Sequence, residues 1–505
     1  VSGYETFMKT FINQLSKHSN NIALVINEKS YTYHQFFQKV YHLSIILKQK
    51  SLTHKIVVLL SERTISLYAA MLACLLSNVI YCPLNIENGI EKSKLILSKL
   101  KPDLIFCEKL PEDLRDFLLS TYAHHQLFFY QDNDAHDATA VIDIQQWFSA
   151  IDIRDHDIAY LFFTSGSTGM PKGVPISHHN LRSYLNSITS LFSFSLNDRF
   201  IQLSDIAFDL SIHEIIVSLM SGACLYIYHE NKNLHLSKFL IEHRITQLIS
   251  VPSVLSFLVQ QAQLYQIQFS HLRRVFLCGE PFSTKLAIAF AARAKNCTLV
   301  NLYGPTEATV ACTYHVFDKL KDQRVLVPIG KPFSSVSLTT THCAELVIAG
   351  DQVSSGYYLL DPKKKLENSA FEFDSVHNTF RYYTGDCVSR DINGDYHFCS
   401  RLDDQWKIGG YRIEKNEIEN VLRSLFQEPD IFVTPVYNDQ QLIVSITGFS
   451  TKKISLKTQR AELHKRLPKS AIPDHFIQLD YIPKLSNGKV DYRKLKKFCF
   501  EQKGI

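Results

Sequence analysis

The 505-residue chain is predicted to be an α/β protein, with a large N-terminal domain of layered β-sheets packed with helices and a small mobile C-terminal α+β domain. Three observations carry this prediction. The length exceeds what one hydrophobic core normally serves. Apolar β-type runs alternate with amphipathic stretches of helical period through most of the chain. Near residue 400 the texture changes to one helix followed by strands, in a unit of about 100 residues, the size of a compact domain.

Taken in order, strand-like runs occupy residues 55–60, 78–82, 104–107, 158–163, 224–228, 247–251, 274–278 and 298–302, with helical stretches such as 65–76 and 212–220 between them. The uncharged segment 65–84 is about as long as a bilayer span. Ser77-Asn78 interrupt it and Pro83 follows a β-rich VIYC, which favours a buried helix running into a strand over a membrane helix. The polar joint Ser400-Arg401-Leu402-Asp403-Asp404 divides an expected large domain, 1–402, from an expected lid domain, 403–505. Beyond it, 414–426 places Ile418, Val421, Leu422, Leu425 and Phe426 on one helical face, and 431–436 and 441–446 read as strands. No internal repeat or low-complexity tract interrupts the pattern.

Composition narrows the class. Hydrophobic residues at 46% and charged residues at 20% suit a soluble globular enzyme and argue against disorder. A net charge of +5 is too slight to argue for nucleic acid. Eleven cysteines, odd in number and never a close CxxC pair, point to reduced thiols rather than zinc or disulfides. Val1-Ser2-Gly3-Tyr4 opens no basic-then-apolar leader, so a cytoplasmic protein without membrane insertion is expected.

The chemistry starts at Thr164-Ser165-Gly166-Ser167-Thr168-Gly169, directly after the run 158–163. Small residues let backbone N–H groups and hydroxyls converge on phosphate oxygens, and Lys172 adds a point charge. Pro171 stands where a Walker A loop requires its second glycine, so this is a different phosphate loop. A bare Gly/Ser/Thr loop is more often a plain turn; the full string TSGSTGMPKG is far more specific.

That string resembles the signature loop of the adenylate-forming enzymes, which include acyl-CoA synthetases, luciferases and the adenylation domains of peptide synthetases. Further stretches match the family's motifs in order: Tyr31-Thr32-Tyr33, Cys82-Pro83-Leu84-Asn85, Phe208-Asp209-Leu210-Ser211, Asn301-Leu302-Tyr303-Gly304-Pro305-Thr306-Glu307, Tyr383-Thr384-Gly385-Asp386, Arg401-Leu402-Asp403-Asp404-Gln405, Gly410-Tyr411-Arg412-Ile413-Glu414 and Asn487-Gly488-Lys489-Val490-Asp491. The resemblance spans essentially the whole chain. It implies ATP and Mg²⁺ as cofactors, an acyl-adenylate as intermediate, and a role for each matched residue. Asp386 would accept the ribose hydroxyls, a task suited to its two oxygens, with Arg401 on the ribose or phosphate side. Tyr303 would offer its face to adenine, beside nucleotide contacts from Gly279, Glu280, Gly304 and Thr306. Glu307 would hold Mg²⁺. Lys172 and Lys489 would supply charge at the reacting phosphate, Lys489 bridging it to the substrate carboxylate. Taken singly, each of these types is more often a turn residue, a core tyrosine or a solvated charge.

A lysine on the lid must withdraw before a second substrate attacks, so the resemblance also implies rotation about a hinge, for which Asp403 is nominated. The loop Gly409-Gly410-Tyr411-Arg412 would then face the site. Its glycines suit close approach by a pantetheine arm, or simply a tight hairpin.

The resemblance marks Asp209 as the residue that binds a substrate ammonium, which favours an amino acid over a simple acid. It also assigns the pocket wall to Leu210, His213, Ser250, Phe276, Cys278, Leu302, Val310 and Ala311. Phe276 and Cys278 are bulky for that role and leave room for a small side chain. Within the family, the motifs around Asp209, Cys278 and Tyr303 are most similar to ligases that load D-alanine onto a carrier protein. His213 departs from that pattern; it either hydrogen-bonds a polar substrate or fills the wall. Ser400 and Lys415-Asn416 also depart from it. The expected partners are a small amino acid and a separate phosphopantetheinylated carrier, since no carrier-like segment follows Lys489. The basic run 493–497 would either attract that carrier or form a solvated helix end. Alternatives are a peptide-synthetase adenylation domain for another amino acid, an acyl-CoA synthetase, and a nucleotide-binding regulator without catalysis.

Overall fold

The computed structural model describes residues 17–85, 90–130, 153–165, 171–229, 236–358, 370–485 and 490–501. Two large sheets form the N-terminal part. One has nine strands in the order Lys331–Pro332, Thr313–Val316, Thr298–Tyr303, Arg274–Leu277, Gln247–Ser250, Arg199–Gln202, Cys224–Ile227, Ile22–Ile26 and Lys29–Thr32, parallel in its centre and antiparallel at both edges. The other has six, in the order Leu127–Phe129, Leu104–Glu108, Ile56–Ser61, Ile80–Pro83, Ile158–Thr164 and Lys172–Ser177.

The helix Ile65–Leu76 accounts for the bilayer-length stretch. Every one of its twelve side chains is buried, and Thr64 caps its first turn by accepting from Leu67 N. Its apolarity reflects burial on all sides between the sheets; among the described residues no helix is long and apolar enough to cross a membrane.

Two strands flank the phosphate loop: Ile158–Thr164 pairs antiparallel with Lys172–Ser177, bringing Thr164 opposite Lys172. The stretch after Asp209 departs from a plain helix: Leu210–Ile212 and Ser218–Met220 are α-helical, but His213–Val217 is a π-helix, a widening that often accompanies functional sites. Glu214 lies inside it, its carboxylate accepting from Leu203 N, Ser204 N and Ser204 Oγ at 3.0–3.1 Å.

A five-stranded sheet built around Thr379–Arg390 follows, with Tyr396–Arg401 on its flank. From Gln405 onward come the hairpin Gln405–Ile408/Tyr411–Glu414, the helix Lys415–Phe426, and a three-stranded sheet of Ile431–Tyr437, Ile443–Ser450 and His475–Gln478. Ile418 and Leu422 from that helix meet Ile431, Val433 and Leu463 in a core containing no residue before Trp406. The helix Tyr492–Glu501, which carries the basic run, packs Leu495 and Cys499 against Phe449 and Ile477.

Candidate active site

A cleft of about 870 Å³ runs between the ends of the large sheets and the loop at Gly409. Of the nucleotide-site residues expected from sequence, Thr164, Ser165, Gly279, Gly304, Thr306, Asp386 and Arg401 line it. Glu307, Tyr303, Lys172 and Glu280 stand just behind this lining, tied to it by the contacts below. Gly166, Ser167, Thr168, Gly169 and Lys489 lie outside the described residues. Leu485 and Val490, the nearest described residues on either side of Lys489, do not line the cleft.

Asp386 is buried on its strand and used from both sides. Tyr303 donates its hydroxyl to Oδ2 at 2.6 Å, and Arg401 Nη1 donates to Oδ1 at 2.5 Å. A carboxylate has about four acceptor sites, so each oxygen keeps one for a further donor. Arg401 also reaches Asp403 at 2.6 and 2.7 Å, and these acids hold its guanidinium charged against the penalty of burial. Gly385 precedes Asp386 with φ +72°, and a Cβ there would sit 2.9 Å from Arg401 Nη2. At Gly304 an added Cβ would meet Ala311 Cα at 2.5 Å, so the backbones can only approach with glycine.

Glu307 is fully engaged. Tyr357 donates to Oε1 at 2.8 Å, and Arg412 Nη1 lies 3.1 and 2.9 Å from its two oxygens. Burial opposes the charge, but Arg412 and Tyr357 outweigh it and hold the carboxyl below the usual range. Lys172 Nζ rests 5.1 Å from the Tyr357 ring centre. No group of three or more His, Cys, Asp or Glu gathers among the described residues to hold a metal. The donor set therefore suits an ion that takes one carboxylate and finds its other oxygens elsewhere, as Mg²⁺ on phosphates does. It suits one only while Arg412 is withdrawn.

The loop Gly409–Arg412 faces this cleft. Gly410 N donates to Glu280 Oε1 at 2.9 Å while Ser253 N donates to Oε2 at 2.8 Å, and Ser165 Oγ donates to Arg412 O at 2.5 Å. Gly410 has φ +82°, and an added Cβ would press to 3.1 Å from Val251. Tyr411 meets Phe208 edge to face at 4.9 Å. Lys407, which sequence reasoning missed, stands 5.7 Å from the centre of the Tyr303 ring, the face expected for adenine.

Deeper in, Asp209, Leu210, Ser250, Cys278 and Val310 line the cleft, whereas His213, Phe276, Leu302 and Ala311 do not. Burial pushes Asp209 up to about 6, against a hydrogen bond from Thr306 and with Glu307 nearby adding to the rise. No cation pairs with it among the described residues. Cys278 is a neutral wall, its thiol pushed up to about 12 by burial. Phe276 backs it, packed against Phe192, Phe194 and His213. His213 lies behind this wall: its Nδ1 meets Tyr184 Oη at 2.7 Å, and burial drives it down to about 3, hence neutral.

Gln352 is a second residue that sequence reasoning missed. Thr309 and Val310 take φ +57° and +65°, conformations that β-branched residues avoid at a cost of about 1–3 kcal/mol each. Buried Gln352 holds this turn: its Nε2 donates to Ala311 O at 2.7 Å and its backbone oxygen accepts from Thr309 Oγ1 at 2.7 Å. The strain sets Val310 into the pocket wall. Only a family pattern around residue 352 could have signalled this, since an isolated glutamine in a loop carries no mark.

Comparison with known proteins agrees with this geometry. The family described as "AMP-binding enzyme" matches residues 11–358. A D-alanine–D-alanyl carrier protein ligase of Staphylococcus aureus is 31% identical over 425 residues, covering 82% of this chain and 84% of that one. The Vibrio cholerae adenylation domain AlmE, solved in complex with glycyl-adenosine-5'-phosphate, superposes with a TM-score of 0.85 at 26% identity, covering 98% of both chains. A peptide-synthetase protein containing adenylation and carrier domains shares the fold, with a TM-score of 0.80 at 21% identity over 97% of this chain and 84% of that one.

Proposed function

The chain belongs to the AMP-binding enzyme family and is an ATP-dependent, AMP-forming ligase, and from that premise we propose that it activates a small amino acid, D-alanine foremost, and loads it onto the phosphopantetheine thiol of a carrier protein. The observation that carries this reading is Asp209: a carboxylate deep in the cleft without a cationic partner, above a floor closed by Cys278 and Val310. A buried carboxylate gains most from a ligand that brings its own positive charge, and an ammonium does so where a fatty acid does not. A floor lined by Cys278 and Val310 suits a small substrate side chain. The kinship with the Staphylococcus aureus ligase supports D-alanine; the glycyl-adenylate in AlmE favours glycine as the second reading.

In the first half-reaction the substrate carboxylate attacks the α-phosphorus of ATP and pyrophosphate leaves. Asp386 and Arg401 hold the ribose side, Thr164 turns a buried hydroxyl with no described partner toward the phosphates, and Lys489 bridges carboxylate and phosphate. Mg²⁺, when held on Glu307, supplies charge neutralisation at the phosphates. The lid, residues 403–505, then rotates about Asp403 and brings Gly409–Arg412 to the cleft. In the second half-reaction the thiol sulfur attacks the adenylate carbonyl, a C–S bond replaces the C–O bond, AMP departs with the electron pair, and the thiol proton passes to solvent.

Amino-acid-dependent pyrophosphate exchange tests the reading. D-alanine should support the fastest exchange, glycine a slower one, and L-alanine and fatty acids little. Exchange with no amino acid sinks it, and exchange with fatty acids alone makes the protein an acyl-CoA synthetase.

A further inference from the structure

The C-terminal domain also grips the large domain at two places outside the hairpin at 405–414. The first grip is an ion pair. Lys92, on the helix Ile90–Leu100, reaches Oε1 of Glu417, on the helix Lys415–Phe426, at 3.1 Å. The Glu417 side chain is 13% and the Lys92 side chain 33% exposed, so the acid is sheltered and the base meets water. The second oxygen of Glu417 is buried and has no partner among the described residues. Its charge therefore leans on Lys92 alone. The short helix Arg460–Arg466 packs on Ile90–Leu100 beside this pair.

The second grip is apolar. A turn at 438–442 joins the strands Ile431–Tyr437 and Ile443–Ser450, and Asn438 ties it. Asn438 Oδ1 accepts from Gln440 N at 2.9 Å and from Leu442 N at 3.0 Å. The turn sends Leu442 out of its own domain. Leu442 is buried in a core that contains Leu286 and Phe290, and every other member of that core lies between Ile201 and Val327. Asp439, beside it, meets Lys285 at 3.5 Å, a pair too exposed to add much.

Both grips belong to the orientation in which Gly409–Arg412 faces the cleft and the residues flanking Lys489 stand outside it. Rotation about Asp403 carries Glu417 and Leu442 away from partners that stay on the large domain. Leu442 then enters water, and Glu417 trades Lys92 for hydration. One leucine and one half-open ion pair make a small contact set. That suits a lid that leaves in every turnover, whereas a large apolar interface would fix it.

We propose that the Lys92–Glu417 pair and the Leu442 socket form the latch that holds the lid in its thiol-transfer orientation. Glu417 and Leu442 are then positioning residues for the second half-reaction and touch no reactant. This rests on the two half-reactions proposed above and adds which residues set the balance between them. Because rotation breaks these contacts, weakening them draws the lid toward the adenylating orientation. The two half-reactions then part company, which a general loss of folding does not produce.

The test compares the parent with Glu417→Lys, with Leu442→Ala, and with the exchanged pair Lys92→Glu/Glu417→Lys. Amino-acid-dependent pyrophosphate exchange reads the first half-reaction, and single-turnover acylation of free pantetheine by preformed adenylate reads the second. Energy transfer between fluorophores at exposed positions 320 and 481, one on each domain, reads the orientation of the lid. Glu417→Lys and Leu442→Ala should keep exchange within about twofold of the parent or raise it, and slow acylation at least about fivefold. The energy-transfer distribution should move with the acylation rate. The exchanged pair should restore both, because it rebuilds the ion pair with its ends reversed. Unchanged acylation in Glu417→Lys and Leu442→Ala overturns the latch. Equal losses in both half-reactions, or an exchanged pair that rescues nothing, overturn it as well. A parent without amino-acid-dependent exchange, or one that exchanges yet acylates no thiol, instead removes the reaction proposed above. The fluorescence distributions then decide the latch by themselves.

Discussion

Under the proposed function Asp209 and Cys278 set the terms of substrate choice, and each makes a separate prediction. Burial favours the protonated form of Asp209, and ammonium binding needs the ionised one. The amino-acid KM should therefore rise as pH falls through about 6, while the KM for ATP stays flat; steady-state exchange from pH 5 to 8 reads both. The same shift acts on stability. A raised carboxyl pKa favours the folded state below the unfolded value and withdraws that support as pH rises through the folded one. Asp209→Asn should then stabilise the free protein by up to roughly 3 kcal/mol at pH 8, give nothing near pH 4, and reduce exchange at least 100-fold; thermal melts at both pH values check it. Cys278→Ala should open the floor, so that L-alanine and D-serine exchange approaches that of D-alanine; an unchanged profile removes Cys278 from the pocket assignment. Asp209, Asp386 and Glu307 were legible because they stand in motif strings, where a residue's neighbours vouch for it. Gln352 was not, because its work is to hold the Thr309–Val310 turn from another loop, and Lys407 was not, because only the placement of the C-terminal hairpin brings it to Tyr303.

At the scale of elements, the hairpin Gln405–Ile408/Tyr411–Glu414 acts as a plug whose tip enters the cleft. Two backbone donors, Ser253 N and Gly410 N, share the carboxylate of Glu280, and Arg412 spans to Glu307. Breaking one side of a buried pair leaves the other charge uncompensated, at about 3–5 kcal/mol. Arg412→Met should thus destabilise this arrangement and slow carrier loading far more than exchange; single-turnover transfer from preformed adenylate measures the difference. Most strands were readable from their β-branched runs, and the buried helix Ile65–Leu76 from its length and its break at Ser77. The π-helical stretch His213–Val217 was hidden because its apolar residues still fit helical spacing. The strand after the phosphate loop was hidden too, since Lys172–Ser177 contains Pro175 and Gly173, which read as breakers but here sit on the edge strand of their sheet.

For the whole molecule, the two-domain plan was legible from the change of pattern near residue 400, and the course of the cleft was not, because it is made by packing residues hundreds of positions apart. Lys489→Ala should abolish adenylation while sparing thiol transfer from preformed adenylate; loss of both half-reactions would show that its role is not confined to the first. The pairing of Arg412 with Glu307 reaches further still. Glu307 carries one negative charge, and a guanidinium and a divalent ion are rivals for it. Magnesium should accordingly be both an activator and an inhibitor of the same enzyme. With adenylate supplied, the rate of carrier loading plotted against magnesium should show a descending limb, and Arg412→Met should shift that limb. On that outcome, a cofactor released before the second half-reaction would turn the metal concentration of the enzyme's surroundings into a brake on its output.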